Sequence, residues 1–290
     1  MSEKMQIGFV GTGVMGKSIV MHLLKAGHEV TIYTRTKEKA DELVDMGAKW
    51  ANTPGEVASQ VRVLFSMVGY PSDVEEVYNG DQGIFVHGKP GLIVVDLTTS
   101  TPSLAIDLND KAQSLGMSSL DAPVSGGDVG AKNGKLSIMV GGDIKIFNTI
   151  SPIFDLFGEN IVYQGPAGAG QHTKMANQIA IASSMIAACE ALTYAIEAKL
   201  DPEMVLKSIT SGAAGSWSLT NLAPRMLKEN YAPGFYMKHF IKDMGIALDE
   251  AEKMNLRLPG LELAFTQYQE LAARGLENEG TQSLIKAYRT

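Results

Sequence analysis

The sequence predicts an α/β protein: a doubly wound parallel sheet in residues 1–165, then one long helix, then an all-helical remainder. Three observations predict it. From Gln6 to Tyr163, short apolar runs alternate with segments of helical spacing, the β-α-β rhythm that lays strands side by side in parallel. The first strand meets the first helix through a glycine turn, Gly11-Thr-Gly-Val-Met-Gly16. Past Tyr163 no convincing strand follows, and residues 175–189 form an uncharged run rich in Ala, Ile, Met and Ser within a helical stretch reaching Leu200. A helix that is apolar or small on nearly every face is expected to be buried. At ~1.5 Å per residue, roughly thirty residues span about 45 Å, so this helix is expected to run between two globular parts. The expected division is residues 1–165, 166–200 and 201–290.

Taken in order, residues 6–10 read as a strand, and residues 17–26 as a helix with Ile19, Val20, Leu23 and Leu24 at core spacing. The G-x-G-x-x-G turn between them has a mechanical reading. Gly11 permits the tight bend, Gly13 lets the backbone around Thr12, Val14 and Met15 approach a pyrophosphate, and Gly16 lets helix and strand pack closely. The helix N-terminus adds N–H donors and a positive dipole end. A purely structural turn is the alternative, but a second strand at 29–33 after Gly27 supplies the context of a Rossmann-like dinucleotide site. Beyond that strand stand Thr34, Arg35, Thr36 and Lys37. An acid there would accept hydrogen bonds from an adenosine 2′-hydroxyl; its absence, with Arg35 available to a 2′-phosphate, favours NADP(H), with NAD(H) still possible if Arg35 and Lys37 are merely solvated.

Thr53-Pro-Gly-Glu56 reads as a capping box with Pro54 at the first helical position. Strands follow at 62–67 and 92–96, with helices at 73–78 and 101–115. Ligands bind beyond the C-terminal ends of strands in such sheets, which selects the polar loops 66–71, with Met67 and Val68, and 96–100. Thr98 and Thr99 either touch a cofactor or cap the next helix. A strand at 119–121 leads into Ala122-Pro-Val-Ser-Gly-Gly127, where Ser125, Gly126 and Gly127 offer a hydroxyl beside successive backbone N–H groups; this is either a nest suited to a carboxylate or a mobile surface loop. Strands at 136–140 and 161–163 flank a helix at 143–157. The last third reads as helices at 202–209, 218–228, 239–254, 260–274 and 282–288. At the start of the long helix, Lys174, Asn177 and Gln178 share one face, a polar and cationic spot on an apolar rod.

A net charge of −7 over 290 residues, without a basic cluster, argues against nucleic acid or an anionic membrane as partner and leaves small-molecule chemistry. The single cysteine, Cys189, excludes an internal disulfide and reads as a buried small hydrophobe. The stretch Met1-Ser-Glu-Lys-Met-Gln-Ile has no apolar signal core, so a cytoplasmic location is expected. Residues 175–189 are too few for a membrane span and include Asn177 and Gln178. The five histidines lack metal-ligand spacing, so no metal is expected, and no G-x-S-x-G elbow supports a serine hydrolase.

Five segments together carry a resemblance: Gly11-Thr-Gly-Val-Met-Gly16, Asp96-Leu-Thr-Thr99, Asp121-Ala-Pro-Val-Ser-Gly-Gly127, Gly168-Ala-Gly-Gln-His-Thr-Lys-Met-Ala-Asn177 and Lys242-Asp243. In order and spacing, over nearly the whole chain, the sequence resembles the β-hydroxyacid dehydrogenases, which include 3-hydroxyisobutyrate dehydrogenase, tartronate semialdehyde reductase and the glyoxylate/succinic semialdehyde reductases. The related 6-phosphogluconate dehydrogenase shares the plan but has a much longer helical domain. The resemblance implies an NAD(P)-dependent oxidoreductase with Lys174 as catalytic acid and base. It further implies Asn177 as that lysine's substrate-binding neighbour, Ser125, Gly126 and Gly127 on the substrate carboxylate, Thr99 by the nicotinamide, and Lys242 near cofactor and substrate. NADP-preferring members often carry Asn-Arg-Thr after the second strand; here Thr34 replaces the first of these. Imine reductases typically replace the lysine that is present here. A non-catalytic dinucleotide-binding module is the alternative of another class. A homodimer or homotetramer is also implied.

Overall fold

The structure is a computed structural model that describes residues 4–289. The first three residues of the stretch read above for an export signal therefore lie outside the described residues. Two compact units divide the chain, Met1–Lys174 and Met175–Thr290.

In the first unit, β1 (Gln6–Val10) passes through the glycine turn into α1 (Val14–Lys25), which starts three residues earlier than its apolar spacing suggested because the turn itself is helical from Val14. β2 (Glu29–Tyr33) returns parallel to β1, with Ile7 opposite Val30. A 3-10 turn (Lys37–Ala40), α2 (Asp41–Asp45) and the two-residue β3 (Lys49–Trp50) follow. Next come α3 (Pro54–Ala58), β4 (Val63–Ser66), α4 (Pro71–Asn79), the single turn α5 (Ile84–His87), β5 (Ile93–Asp96), α6 (Pro102–Ser114) and β6 (Ser118–Asp121). The unit continues with β7 (Val124–Ser125), α7 (Gly127–Asn133), β8 (Leu136–Gly142), α8 (Ile144–Phe154) and β9 (Gly158–Gly165).

The strands lie in the order β3-β2-β1-β4-β5-β6-β8-β7, with β9 on β8. β1 to β6 are parallel, as the alternation predicted, and the order reverses between β1 and β4. The parallel, doubly wound sheet expected from sequence is departed from only at its far edge, where β8 runs antiparallel to β6 and β7. A parallel return needs a crossover of roughly a dozen residues or more, whereas the short helix α7 brings the chain straight back beside β7. Successive strand residues supply opposite faces of the sheet: Val63 and Phe65 enter one core with Phe9, Phe154 and Phe157, while Leu64 enters the other with Tyr78, Val94 and Leu108. Both faces are covered, which is why the strands read as continuous apolar runs.

Side chains cap several helices. The Thr53 hydroxyl accepts from Glu56 N at 3.0 Å. The Glu56 carboxylate, however, takes the amide of Asn52 at 2.7 Å, one residue before the expected partner. Thr101 accepts from Leu104 N, and Asp143 from Lys145 N. Such caps are worth about 1 kcal/mol each.

The long helix α9 (Ala169–Glu197) begins in the first unit and continues through the second. The second unit adds α10 (Pro202–Ile209), a π-turn (Ser218–Leu222), α11 (Ala223–Leu227), α12 (Met237–Lys253), α13 (Pro259–Ala273) and a final 3-10 turn (Thr281–Ala287). Met185, Ala188, Cys189 and Leu192 of α9 pack with Phe240, Met244, Leu261 and Tyr268. Burial pushes the Cys189 thiol up, which leaves it a hydrophobe. The expectation of burial on nearly every face is not met: Ala176, Ala180, Ser183, Ala187, Glu190 and Tyr194 are exposed, three or four residues apart, and so form one stripe. By length and composition α9 could cross a membrane, but its buried face belongs to a packed core.

Candidate active site

The glycine turn is built as its spacing requires. Gly11 sits at φ +95°, and a Cβ there would lie 2.1 Å from Met67 O; a Cβ on Gly16 would lie 2.1 Å from Gly11 O. Both positions therefore exclude any other residue. A Cβ on Gly13 would meet nothing within 4 Å, which is open space for a ligand to approach the backbone. Gly13 caps α1 with no side-chain bond, so the first-turn N–H groups remain available to an anion. Beside them the Thr12 hydroxyl oxygen is buried with no hydrogen-bond partner. Val14 is exposed and Met15 half-buried at the helix start. This set of donors and open backbone fits a dinucleotide pyrophosphate.

At the end of β2, Thr34 is half-buried, while Arg35 and Thr36 are exposed. Arg35 Nη1 meets Asp73 Oδ1 at 3.1 Å. Asp73 Oδ2 accepts from Tyr70 N at 3.1 Å and so also caps α4.

The C-terminal ends of β4, β5 and β6 place Ser66, Asp96 and Asp121 side by side in register. Ser66 Oγ donates to Asp96 Oδ1 at 2.8 Å and stands 2.9 Å from the Tyr78 hydroxyl, which is oriented as donor to it. Thr98 N also donates to Asp96 Oδ1, and Thr98 Oγ1 accepts from Val68 N at 3.0 Å. The Met67–Val68 loop and the Thr98–Thr99 loop are thus fastened to one buried carboxylate. Burial, partly offset by those hydrogen bonds, raises Asp96 to about 6. Of the two threonines, Thr98 is buried and structural, while Thr99 is half-buried.

Asp121 organises the start of α9. Its two carboxylate oxygens accept from Gly168 N and Gln171 N, each at 2.8 Å. Burial raises the pKa of this carboxyl, against the backbone hydrogen bonds that lower it. Gln171, fully buried, accepts from Ser100 N at 3.0 Å and donates to Thr98 O at 2.8 Å. One turn of the helix later, Lys174 is 6% exposed and its Nζ donates to Val124 O at 2.8 Å. Next to Val124 stands Ser125, followed by Gly126 at φ +129° and Gly127 at φ +62°. Within the first unit, therefore, a buried ammonium is fixed against the strand that opens the Ser-Gly-Gly turn. Asp121 and Gln171, which hold the start of α9, and Asp96, which fastens the neighbouring loops, were given no role from the sequence; a carboxylate closing a buried strand is the signal that could have marked the two acids.

In the second unit, Asn177 and Lys242 are linked through two residues that sequence reasoning did not assign. Asp243, 1% exposed, accepts from Gln178 Nε2 at 2.6 Å through Oδ2. Its Oδ1 pairs with Lys242 Nζ at 2.7 Å, out of line for a hydrogen bond. The Gln178 amide therefore turns its oxygen to Asn177 Nδ2, at 2.7 Å. Because a carboxylate only accepts, the charge on Asp243 fixes the orientation of both amides. Among the described residues no group of three His, Cys, Asp or Glu side chains is placed to hold a metal ion.

Comparison with known proteins adds to this geometry. Residues 6–165 match the family described as the NAD binding domain of 6-phosphogluconate dehydrogenase. Residues 168–288 match the NAD-binding family of NADP-dependent 3-hydroxyisobutyrate dehydrogenase. The chain belongs to the β-hydroxyacid dehydrogenase family. An uncharacterized oxidoreductase of Bacillus subtilis, YkwC, is 59% identical over 98% of this chain and 99% of its own length. A probable 3-hydroxyisobutyrate dehydrogenase-like protein of Arabidopsis thaliana, described as mitochondrial, is 48% identical over 97% of this chain and 84% of its own length. The 3-hydroxyisobutyrate dehydrogenase of Mycobacterium tuberculosis, solved with L-serine, shares 26% identity and superposes with a TM-score of 0.90 over 99% of this chain and 100% of that one. As a β-hydroxyacid dehydrogenase the chain is an NAD(P)-dependent oxidoreductase, and the turn 11–16 lies within the matched NAD binding domain.

Proposed function

We propose that the enzyme interconverts a small 3-hydroxy acid and its semialdehyde, in the manner of 3-hydroxyisobutyrate dehydrogenase, with Lys174 as the proton donor and acceptor. One observation carries this reading: the Lys174 ammonium is 6% exposed and held 2.8 Å from Val124 O, next to Ser125. A bound nicotinamide would supply the hydride to the substrate carbonyl carbon, or take it from the carbinol carbon in the reverse direction. Lys174 gives its proton to the alkoxide oxygen as it forms and recovers it in the oxidative direction. The Ser125 hydroxyl and the N–H groups of Gly126 and Gly127, opened by their positive φ, bind the substrate carboxylate and so orient the carbonyl. The family pattern gives Thr99, on the loop held by Asp96, to the nicotinamide. In the second unit the family pattern gives Asn177 to the substrate and Lys242 to the cofactor; the rigid chain through Gln178 and Asp243 supports defined roles for both.

NADP(H) is the preferred cofactor in this reading. No carboxylate ends β2, and Arg35, flanked by the Thr34 and Thr36 hydroxyls, exposes 79% of its side chain. The description of the second matched family, NADP-dependent, supports the same choice. The exposed stripe of Ala176, Ala180, Ser183 and Ala187 on α9 supports assembly into a homodimer or homotetramer, since its small side chains allow a second helix to approach closely.

The test is a panel: NADPH and NADH oxidation with glyoxylate and with succinic, methylmalonate and tartronate semialdehydes, and NADP+ reduction with 3-hydroxyisobutyrate. Turnover of at least one three- or four-carbon semialdehyde acid is expected, fastest with NADPH. Tight cofactor binding without oxidation across the panel would leave a non-catalytic dinucleotide-binding module instead.

A further inference from the structure

The acid missing from the end of β2 has a counterpart that arrives from another element. Asp73 stands at the third position of α4, where Oδ2 caps the helix through Tyr70 N and Oδ1 pairs with Arg35 at 3.1 Å. Its side chain is 20% exposed against 79% for Arg35, so the carboxylate is the fixed partner and the guanidinium the movable one. The other cation just beyond β2, Lys37, lies over the Trp50 ring at 5.6 Å. Arg35 is therefore the group best placed to meet a 2′-phosphate, and it is already shared with a negative charge.

We propose that Asp73 is a specificity-determining residue for the cofactor, which holds down the preference for NADPH and keeps NADH usable. The inference rests on the reading of Arg35 as the 2′-phosphate ligand. Any phosphate bonded to this guanidinium comes within about 6 Å of the carboxylate bonded to the same group. Two negative charges at that distance repel, and the ion pair must be shared or broken, whereas a 2′-hydroxyl meets neither cost. The helix-cap role explains why Asp73 is fixed in place: Tyr70 N would otherwise lose its acceptor.

Titration of NADPH and NADH by cofactor fluorescence tests this without reference to any substrate. Asp73→Asn keeps an oxygen for Tyr70 N and removes the charge; Asp73→Ser is a second, smaller neutral variant. Both are expected to tighten NADPH about three- to tenfold while leaving NADH within about twofold, the difference shrinking at high salt. Unchanged or weaker NADPH binding, or an equal shift for both cofactors, would overturn the proposal. Arg35→Ala separates the two levels. If it weakens NADPH while the Asp73 variants change nothing, only the role of Asp73 falls; if it leaves NADPH untouched, the reading of Arg35 falls and takes the proposal with it.

Discussion

Asp96 closes β5 with its carboxylate sealed among Ser66, Tyr78 and Thr98, and burial lifts it to about 6. An unfolded chain releases that proton near pH 4. Between those values the folded protein holds a proton the unfolded chain has lost, so the contribution to stability is fully present below about pH 4 and is lost as pH rises through about 6. The gap corresponds to an effect on the order of 2–3 kcal/mol. His28 works the other way: burial lowers its pKa, so its contribution is present above about pH 6.5 and lost as pH falls below that. Comparing wild type with Asp96→Asn isolates the carboxylate. Urea unfolding should show the variant gaining on the wild type from pH 4 to pH 7; a constant difference across that range would mean that Asp96 does not titrate there.

The long helix shows where sequence legibility ran out at the scale of elements. Its length and its start at Gly168 were readable, but Ala, Ser and Met on every side give no period from which to tell the covered face from the open one. The structure puts Ala188 at 0% exposure and its neighbour Ala187 on the open stripe. Ala188→Leu should cost about 1–3 kcal/mol in thermal or urea unfolding, because the site has no room for three more carbons. Ala187→Arg should leave monomer packing nearly unchanged and shift sedimentation towards smaller species; equal destabilisation by the two variants would contradict the assigned faces. Short elements were also missed, among them β3, α5 and α7. Two to seven residues, with five glycine or asparagine positions in and around α7, show neither a strand nor a helix period.

For the whole molecule, the parallel part of the sheet apart from β3 was legible because short, mostly apolar runs alternate with segments of helical spacing. The antiparallel edge was not, because it depends on how short a return α7 makes. The candidate site divides in the same way. Gly11, Gly13, Gly16, Ser125 and Lys174 stand in local motifs. The groups that hold Lys174 in place, Asp121 and Gln171, act across the chain: the Gln171 amide reaches a carboxylate 50 residues earlier, and its side chain spans 73 residues to Thr98. Pairing at such separations leaves no trace in spacing. The proposed role of Lys174 is to move the proton. Its most direct test is Lys174→Ala, with NADPH affinity and kcat/KM measured on the semialdehyde that the wild type turns over fastest. Cofactor affinity should stay within a few-fold while kcat/KM falls about 10²- to 10⁴-fold; turnover within tenfold of wild type would contradict the account.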